Sequence, residues 1–160
     1  TVAAAFAGAE VCHVDAAKGM VNKAKENLSI SGLQDSKVRF IVDDAIKFTQ
    51  REKRRGHFYD AIIMDPPTYG RGPEGELWKL EDNLYDLLML CMDVLSKNPL
   101  FFLINIYTAN LSPAVLRNVL TIAVKKRFGG FINEDELGLP ISSSDLIMPC
   151  GAFGRWELGV

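Results

Sequence analysis

Residues 58–67 read Phe58-Tyr59-Asp60-Ala61-Ile62-Ile63-Met64-Asp65-Pro66-Pro67, an apolar run that ends in an acid and two prolines. The run predicts a strand over 59–64, nearly all apolar, as in the middle of a covered parallel sheet. Proline removes a backbone N–H and favours extended geometry in the residue before it, so the exit from this strand is rigid. Ligands of open α/β sheets bind at the carboxyl ends of the strands. Asp65 therefore lies where a functional carboxylate is expected.

The length and composition indicate an ordinary globular protein. The 160 residues, 48% hydrophobic and 24% charged, fit a single domain that we expect to span 1–160. A net charge of −2 disfavours a chain that holds nucleic acid by bulk electrostatics. This net charge is compatible with a nucleic-acid substrate that is bound mainly by another domain.

The cysteines indicate a reducing compartment. Cys12, Cys91 and Cys150 are an odd number without a CxxC spacing, which favours neither a disulfide framework nor a zinc site. We expect no metal. No apolar run is long enough to span a membrane and no signal peptide is visible, so we expect a cytoplasmic protein. The sequence leaves the oligomeric state open.

Strand-like and helix-like segments alternate along the chain. This order predicts an α/β fold, a doubly wound and mostly parallel sheet with helices on both faces. The last two strands have no helix between them and predict a C-terminal antiparallel hairpin. The strands are expected at 10–15, 38–42, 59–64, 100–104, 131–141 and 146–156, and the helices at 18–31, 45–55, 82–95 and 112–126.

Three successive strands end in acids, Asp15, Asp44 and Asp65, which should line one edge of the sheet. Asp15 can accept hydrogen bonds from ribose hydroxyls or cap the helix that begins near Lys18. The segment Asp43-Asp44-Ala45 can read an adenine through a carboxylate and a backbone N–H, or it can cap the next helix. We favour ribose for Asp15 and adenine for Asp44.

The segment 68–79 contains several glycines and a proline, and we expect a mobile loop over the pocket. Tyr69 and Trp78 can stack on a planar substrate, while Arg71 and Lys79 can meet phosphate. Trp78 can equally anchor the loop to the domain.

Nucleophilic catalysis is weakly indicated. His13 lies inside an apolar strand and is expected to be a satisfied core histidine, and His57 is expected to face solvent. Cys12 and Cys91 fall on faces that we expect to be buried. No paired Cys/His arrangement is present.

The segments 14–20, 42–45 and 63–73 resemble S-adenosylmethionine-dependent methyltransferases of the class I, Rossmann-like fold. They read VDAAKGM, VDDA and IMDPPTYGRGP, and the resemblance is strongest to the branch related to bacterial large-subunit ribosomal RNA methyltransferases. It covers nearly the whole chain and implies S-adenosyl-L-methionine as cofactor and RNA as substrate.

The resemblance also implies roles for individual residues. Asp15 with Ala16 would hold the ribose, and Asp44 with Ala45 the adenine. The segment Asp65-Pro66-Pro67 would face the methyl donor and the acceptor, and Tyr69 would join this catalytic group.

Two departures from the family pattern stand out. The glycine-rich turn after the family's first strand is absent, so we expect a truncated chain that binds the cofactor weakly or not at all. We also expect a missing N-terminal domain that helps to bind RNA. Relatives that methylate carbon 5 of cytosine need a cysteine at the end of the fourth or fifth strand of their sheet. In this chain those two ends are residues 65–68 and 105–108, and neither contains a cysteine. Amine-methylating enzymes place an aromatic directly after the prolines, whereas Tyr69 comes one position later. The acceptor stays open.

Two other functions are compatible with parts of the pattern. Asp15 could serve the ribose of NAD in an NAD-dependent oxidoreductase, although the Asp65-Pro66-Pro67 segment and the lack of a Tyr-x-x-x-Lys pair disfavour it. A degenerate domain could also keep the fold for protein contacts without catalysis.

Overall fold

The structure is a computed structural model that describes residues 1–71, 75, 77–107 and 111–159. The chain divides into two compact units, residues 1–51 and 52–160. Among the described residues, no helix is both long and apolar enough to cross a membrane. The expectation of a single domain stays a prediction.

The first unit is a two-stranded parallel sheet with helices. Its elements are α1 (Val2–Phe6), β1 (Val11–Asp15), α2 (Lys18–Ile30), β2 (Val38–Val42) and the start of α3 (Ala45–Arg55). The strands pair from Val11 opposite Val38 to Asp15 opposite Val42. Because the two strands are parallel, their carboxyl ends meet at one edge.

The buried face of α2 differs from the face that its sequence spacing indicates. The spacing of Met20, Ala24 and Leu28 predicts that these three share the apolar face, but Met20 is 55% exposed and Val21 is buried with Leu28. Residues 21 and 28 are two helical turns apart and lie on one side of the helix. The helix ends where predicted, since Gly32 adopts a φ of 70° that suits glycine.

The second unit contains a four-stranded mixed sheet in the order β3-β6-β8-β7. Its strands are β3 (Ala61–Met64), β6 (Phe101–Ile106), β7 (Phe131–Pro140) and β8 (Ile147–Glu157). Strands β3 and β6 are parallel, and β8 runs antiparallel to both β6 and β7. The α/β fold class and the C-terminal hairpin are thus confirmed.

Strand β3 is shorter and less covered than the sequence indicates. It begins at Ala61, whereas Tyr59 forms only an isolated bridge with Leu95. It lies at the edge of the four-stranded sheet, and Ile63 is 56% exposed. Within this four-stranded sheet β3 is therefore an edge strand, and the expected central position in the sheet of the whole domain stays a prediction.

The core of the second unit is built around α4 (Leu80–Met92), whose apolar stripe follows the predicted helical spacing. Leu80, Leu84, Leu87 and Leu88 are buried along this stripe, as are alternate residues of β6.

A second helical segment begins at Ser112, as predicted. It consists of α5 (Pro113–Leu120), a π-helical turn (Thr121–Lys125) and α6 (Lys126–Phe128).

A buried carboxylate joins the end of α3 to the start of the β3 region. Glu52 is fully buried, and it accepts a hydrogen bond from the Tyr59 hydroxyl at 2.6 Å. His57 and Arg55 also contact this carboxylate, each at 3.1 Å. This cluster lies before the amino end of β3, opposite to the end that carries Asp65, and we interpret it as structural.

Candidate functional site

The structure brings Asp15 and Asp44 to one edge of the first unit. Asp15 ends β1, and its carbonyl accepts a hydrogen bond from the Asp43 N–H at 3.1 Å, just beyond the end of β2. Two acidic segments from neighbouring parallel strands therefore meet, as the sequence predicts for this pair.

The Asp15 carboxylate shapes the turn into α2. It is half-buried, and its Oδ1 accepts a hydrogen bond from the Ala17 N–H at 2.6 Å. Ala17 is the N-cap residue of α2, and no side chain caps this helix. The Asp15 side chain thus supports the turn without being the cap itself. This bond engages one oxygen, so the second can still accept a bond from a ligand.

Asp44 caps α3, and its neighbour is neutralised by an ion pair. The Asp44 Oδ1 accepts a hydrogen bond from the Lys47 N–H at 2.9 Å, as is usual for a helix cap. Asp43 forms an ion pair with Arg51 and accepts the Asp44 N–H at 2.9 Å. Both acids thus have structural roles. The second Asp44 oxygen can still accept a hydrogen bond, and adenine binding by Asp44 and Ala45 stays a prediction.

In the second unit, Asp65 lies one residue beyond β3 with an exposed side chain, followed by the buried Pro66 and the exposed Pro67. Met64 pairs with Ile104 of β6, so Asp65 follows at the carboxyl end of this parallel pair.

Asn105 is a polar residue on β6, the strand that pairs with β3. It lies one position beyond Ile104, is half-buried, and is the single polar residue of strand β6, whose sequence is FFLINI. Its isolation in an apolar strand is a signal that could have found it.

The segment after Asp65 forms a hairpin. We expected a mobile loop over 68–79, but β4 (Tyr69–Arg71) pairs antiparallel with β5 (Leu77–Lys79). The base of the hairpin is closed by the Leu80 N–H, which donates to the Thr68 carbonyl at 3.0 Å. Residues 72–74 and 76 of the predicted loop lie outside the described residues.

Trp78 anchors this hairpin to the proline segment. Its indole Nε1–H donates to the Pro67 carbonyl at 2.6 Å, and the side chain is half-buried. Of the two predicted roles for Trp78, the structure supports the anchor. Tyr69, Arg71 and Lys79 are exposed.

The remaining nucleophile candidates are two cysteines and two histidines. Cys91 is buried, and burial raises the pKa of its thiol from 9.0 to about 12, so the thiolate is strongly disfavoured. Cys12 is half-buried on β1, less than expected, and its sulfur accepts a hydrogen bond from Arg39 at 3.4 Å. His13 is half-buried, with its Nδ1 at 2.7 Å from the Thr1 hydroxyl.

His57 is exposed, as expected, and contacts Glu52. Within the described ranges, no group of three or more His, Cys, Asp or Glu side chains is arranged to hold a metal ion.

Comparison with curated proteins returns ribosomal RNA methyltransferases. The chain is 33% identical over 87 residues to the ribosomal RNA large subunit methyltransferase I of Erwinia tasmaniensis, covering 54% of this chain and 22% of that protein. It is 35% identical over 60 residues to the protein of the same name from Klebsiella pneumoniae, covering 38% of this chain and 15% of that protein. No protein-family model matches the chain.

Comparison with solved structures returns methyltransferases over nearly the whole chain. The S-adenosylmethionine-dependent methyltransferase from Agrobacterium tumefaciens is 38% identical with a TM-score of 0.88, and the match covers 97% of this chain and 51% of that one. SMU.776, a candidate methyltransferase solved in complex with S-adenosylhomocysteine, is 23% identical with a TM-score of 0.71, and the match covers 97% and 41%. The latter likeness shows the fold alone.

This chain thus spans about half of the Agrobacterium protein, and under a quarter of each curated relative. The comparisons confirm the resemblance to Rossmann-like S-adenosylmethionine-dependent methyltransferases.

Proposed function

We propose that this chain is the catalytic part of an S-adenosylmethionine-dependent methyltransferase that acts on RNA. The observation that carries the proposal is the 38% identity, over 97% of this chain, to the Agrobacterium methyltransferase. The names of the curated relatives support ribosomal RNA as the substrate. We propose the cytoplasm as the location, because a ribosomal RNA substrate would be met there. Neither the oxidoreductase nor the non-catalytic alternative is favoured by these comparisons.

The two carboxylates at the edge of the first unit, those of Asp15 and Asp44, fit the hydrogen-bond donors of the cofactor. Asp15 and Asp44 each use one carboxylate oxygen within the protein, at the turn into α2 and at the start of α3. The second oxygen of each can accept a hydrogen bond, from ribose hydroxyls at Asp15 and from the adenine amine at Asp44. The side chains of Ala16 and Ala45 are small and exposed, so both leave room for a ligand.

The second unit supplies the acceptor side of the reaction. When bound, S-adenosylmethionine supplies an electrophilic methyl group, whose C–S bond breaks towards sulfur as the acceptor atom bonds to carbon. The exposed Asp65 carboxylate can hold the acceptor group and take its proton where one is lost. Pro66, Pro67 and the Trp78 bond to the Pro67 carbonyl restrict the backbone beside it, which is the positioning that such a displacement requires.

The test is methyl transfer from labelled cofactor to RNA, protein and small-molecule pools by the natural full-length protein. We expect label in RNA, and we expect Asp65→Ala to lower the rate by roughly 100-fold or more, as for loss of a positioned acid–base group. Asp60→Ala is the matched control, because Asp60 is an exposed aspartate just before β3 and Asp65 lies just after it. Full activity of Asp65→Ala, or label found only in protein or small molecules, would overturn the proposal.

A further inference from the structure

The hairpin that follows Asp65 has two chemically different faces. Residues directly opposite each other in an antiparallel pair lie on the same face, and successive residues alternate. Tyr69 is opposite Lys79 and Arg71 is opposite Leu77, so these four share one face, which we call the platform. Gly70 is opposite Trp78, and this pair lies on the other face.

The platform is free for a ligand. All four of its residues are exposed, with Tyr69 at 56% and Leu77 at 47%. Within the part of the chain that the structure describes, no hydrogen bond or ion pair engages the side chains of Tyr69, Arg71 or Lys79. One aromatic ring and two cations are thus presented together.

The opposite face fixes the platform in place. Trp78 donates to the Pro67 carbonyl, and the Leu80 N–H closes the base of the hairpin on Thr68. Gly70, the residue opposite Trp78, has no side chain, and a Cβ added to it would lie 4.0 Å from the Trp78 Cβ. No side chain at position 70 therefore competes with Trp78 for this face. The platform is therefore attached, through Trp78, to the residue that lies two positions after Asp65.

We infer that the platform binds a single-stranded RNA segment next to the acceptor nucleotide. Tyr69 stacks on a flanking base, and Arg71 and Lys79 contact phosphates on either side of it. An aromatic ring between cations is the arrangement with which proteins hold single strands, because every base has a face that can stack and every nucleotide carries a charge. The inference rests on the proposed function, since it names how the same site holds its RNA.

Stacking is tested with variants of Tyr69 in the natural full-length protein. We expect Tyr69→Ala to weaken binding of a fluorescent single-stranded RNA by roughly 5- to 150-fold, the usual range for loss of one stacked base. Tyr69→Phe keeps the ring and should bind almost as the natural protein does. Tyr85→Ala is the matched control, because Tyr85 is a 46% exposed tyrosine on α4 and not part of the hairpin.

Phosphate contact is tested by salt dependence. Removal of one phosphate contact lowers the slope of log K against log salt by about 0.7 for a single strand. We expect this change for Arg71→Gln and for Lys79→Gln, and no change for Lys97→Gln, a control at an exposed lysine elsewhere in the second unit. Equal binding by Tyr69→Ala and the natural protein, or slopes unaltered in both charge variants, would overturn the inference.

The two proposals fail separately. If the protein methylates RNA while the platform variants bind and react normally, the platform inference is wrong and the proposed function stands. If no RNA is methylated but platform variants still lose affinity for single-stranded RNA, the proposed function is wrong, and with it the placement of this RNA next to an acceptor nucleotide; only the RNA binding by the platform stands. Binding of an acidic peptide with the same dependence on Tyr69, and no binding of RNA, would overturn the inference.

Discussion

Trp78→Phe should loosen the hairpin without unfolding the protein. The substitution removes the indole N–H that donates to the Pro67 carbonyl at 2.6 Å. A hydrogen bond of this kind contributes about 1 kcal/mol net, and water can replace it here because Pro67 is exposed. Phe retains most of the ring, so the hydrophobic contribution of this half-buried side chain changes little.

The loss should appear as faster local opening. If the hairpin opens as a local unit, a loss of about 1 kcal/mol raises the population of its open form about fivefold. The probe is the Leu80 amide, which is bonded to Thr68 at the base of the hairpin and belongs to a fully buried residue. Hydrogen exchange at this amide should accelerate about fivefold, while the thermal midpoint moves by less than the 2–4 °C expected from about 1 kcal/mol of global destabilisation.

The other tryptophan provides the control. Trp156 also donates its indole N–H to a backbone carbonyl, that of Gly129, at 2.7 Å, but Trp156 is fully buried. Trp156→Phe should therefore lower global stability by roughly 1–3 kcal/mol, because it leaves a cavity and removes a buried bond. Unchanged exchange at Leu80 in Trp78→Phe would refute the anchor role of Trp78. A global loss as large as that of Trp156→Phe would show that the hairpin belongs to the cooperative core.

Two further predictions concern the core of the second unit. Gly151→Ala should destabilise the protein by roughly 2–6 kcal/mol in denaturant titrations, because Gly151 has a φ of 102° and an added Cβ would lie 2.0 Å from the Ile106 oxygen. Gly19→Ala, in α2 with open space around it, should instead be neutral or stabilising by up to about 1 kcal/mol, and equal losses in both variants would contradict this account. Burial raises the pKa of Cys91 from 9.0 to about 12. The contribution of the neutral thiol to the free energy of unfolding is therefore fully present below pH 9 and is lost as the pH rises from 9 to 12. The stability of the natural protein should therefore fall relative to Cys91→Val by up to about 1.4 kcal/mol per pH unit in that window, and parallel curves would contradict the burial of the thiol.

Much of the strand and helix order follows from hydrophobic periodicity, because apolar runs of the right length have few other structures open to them. The β4–β5 hairpin was missed for a physical reason. Its strands have three residues each, and the glycines around them are equally typical of an irregular loop. The strands are held by the pairing of Gly70 with Trp78 and by the Trp78 bond to Pro67, contacts that the spacing of apolar residues does not reveal.

The position of the candidate acids was predictable, but their structural partners were not. An acid that stands between a strand and the helix after it lies at the turn between them, as Asp15 and Asp44 do. The same carboxylate can cap a helix, pair with a cation or bind a ligand, and the sequence pattern is the same for all three. The ion pair between Asp43 and Arg51, which leaves Asp44 as the cap of α3, depends on side-chain geometry across two helical turns.

The two prolines after β3 also determine where the sheet pairing stops. Strand β6 continues two residues beyond Ile104, the partner of Met64, and so offers further backbone groups for pairing. Pro66 and Pro67 have no N–H to donate, and β3 has only four residues. The segment that positions Asp65 therefore donates no N–H groups that could lengthen the ladder, and the pairing of β3 with β6 ends at Met64 opposite Ile104.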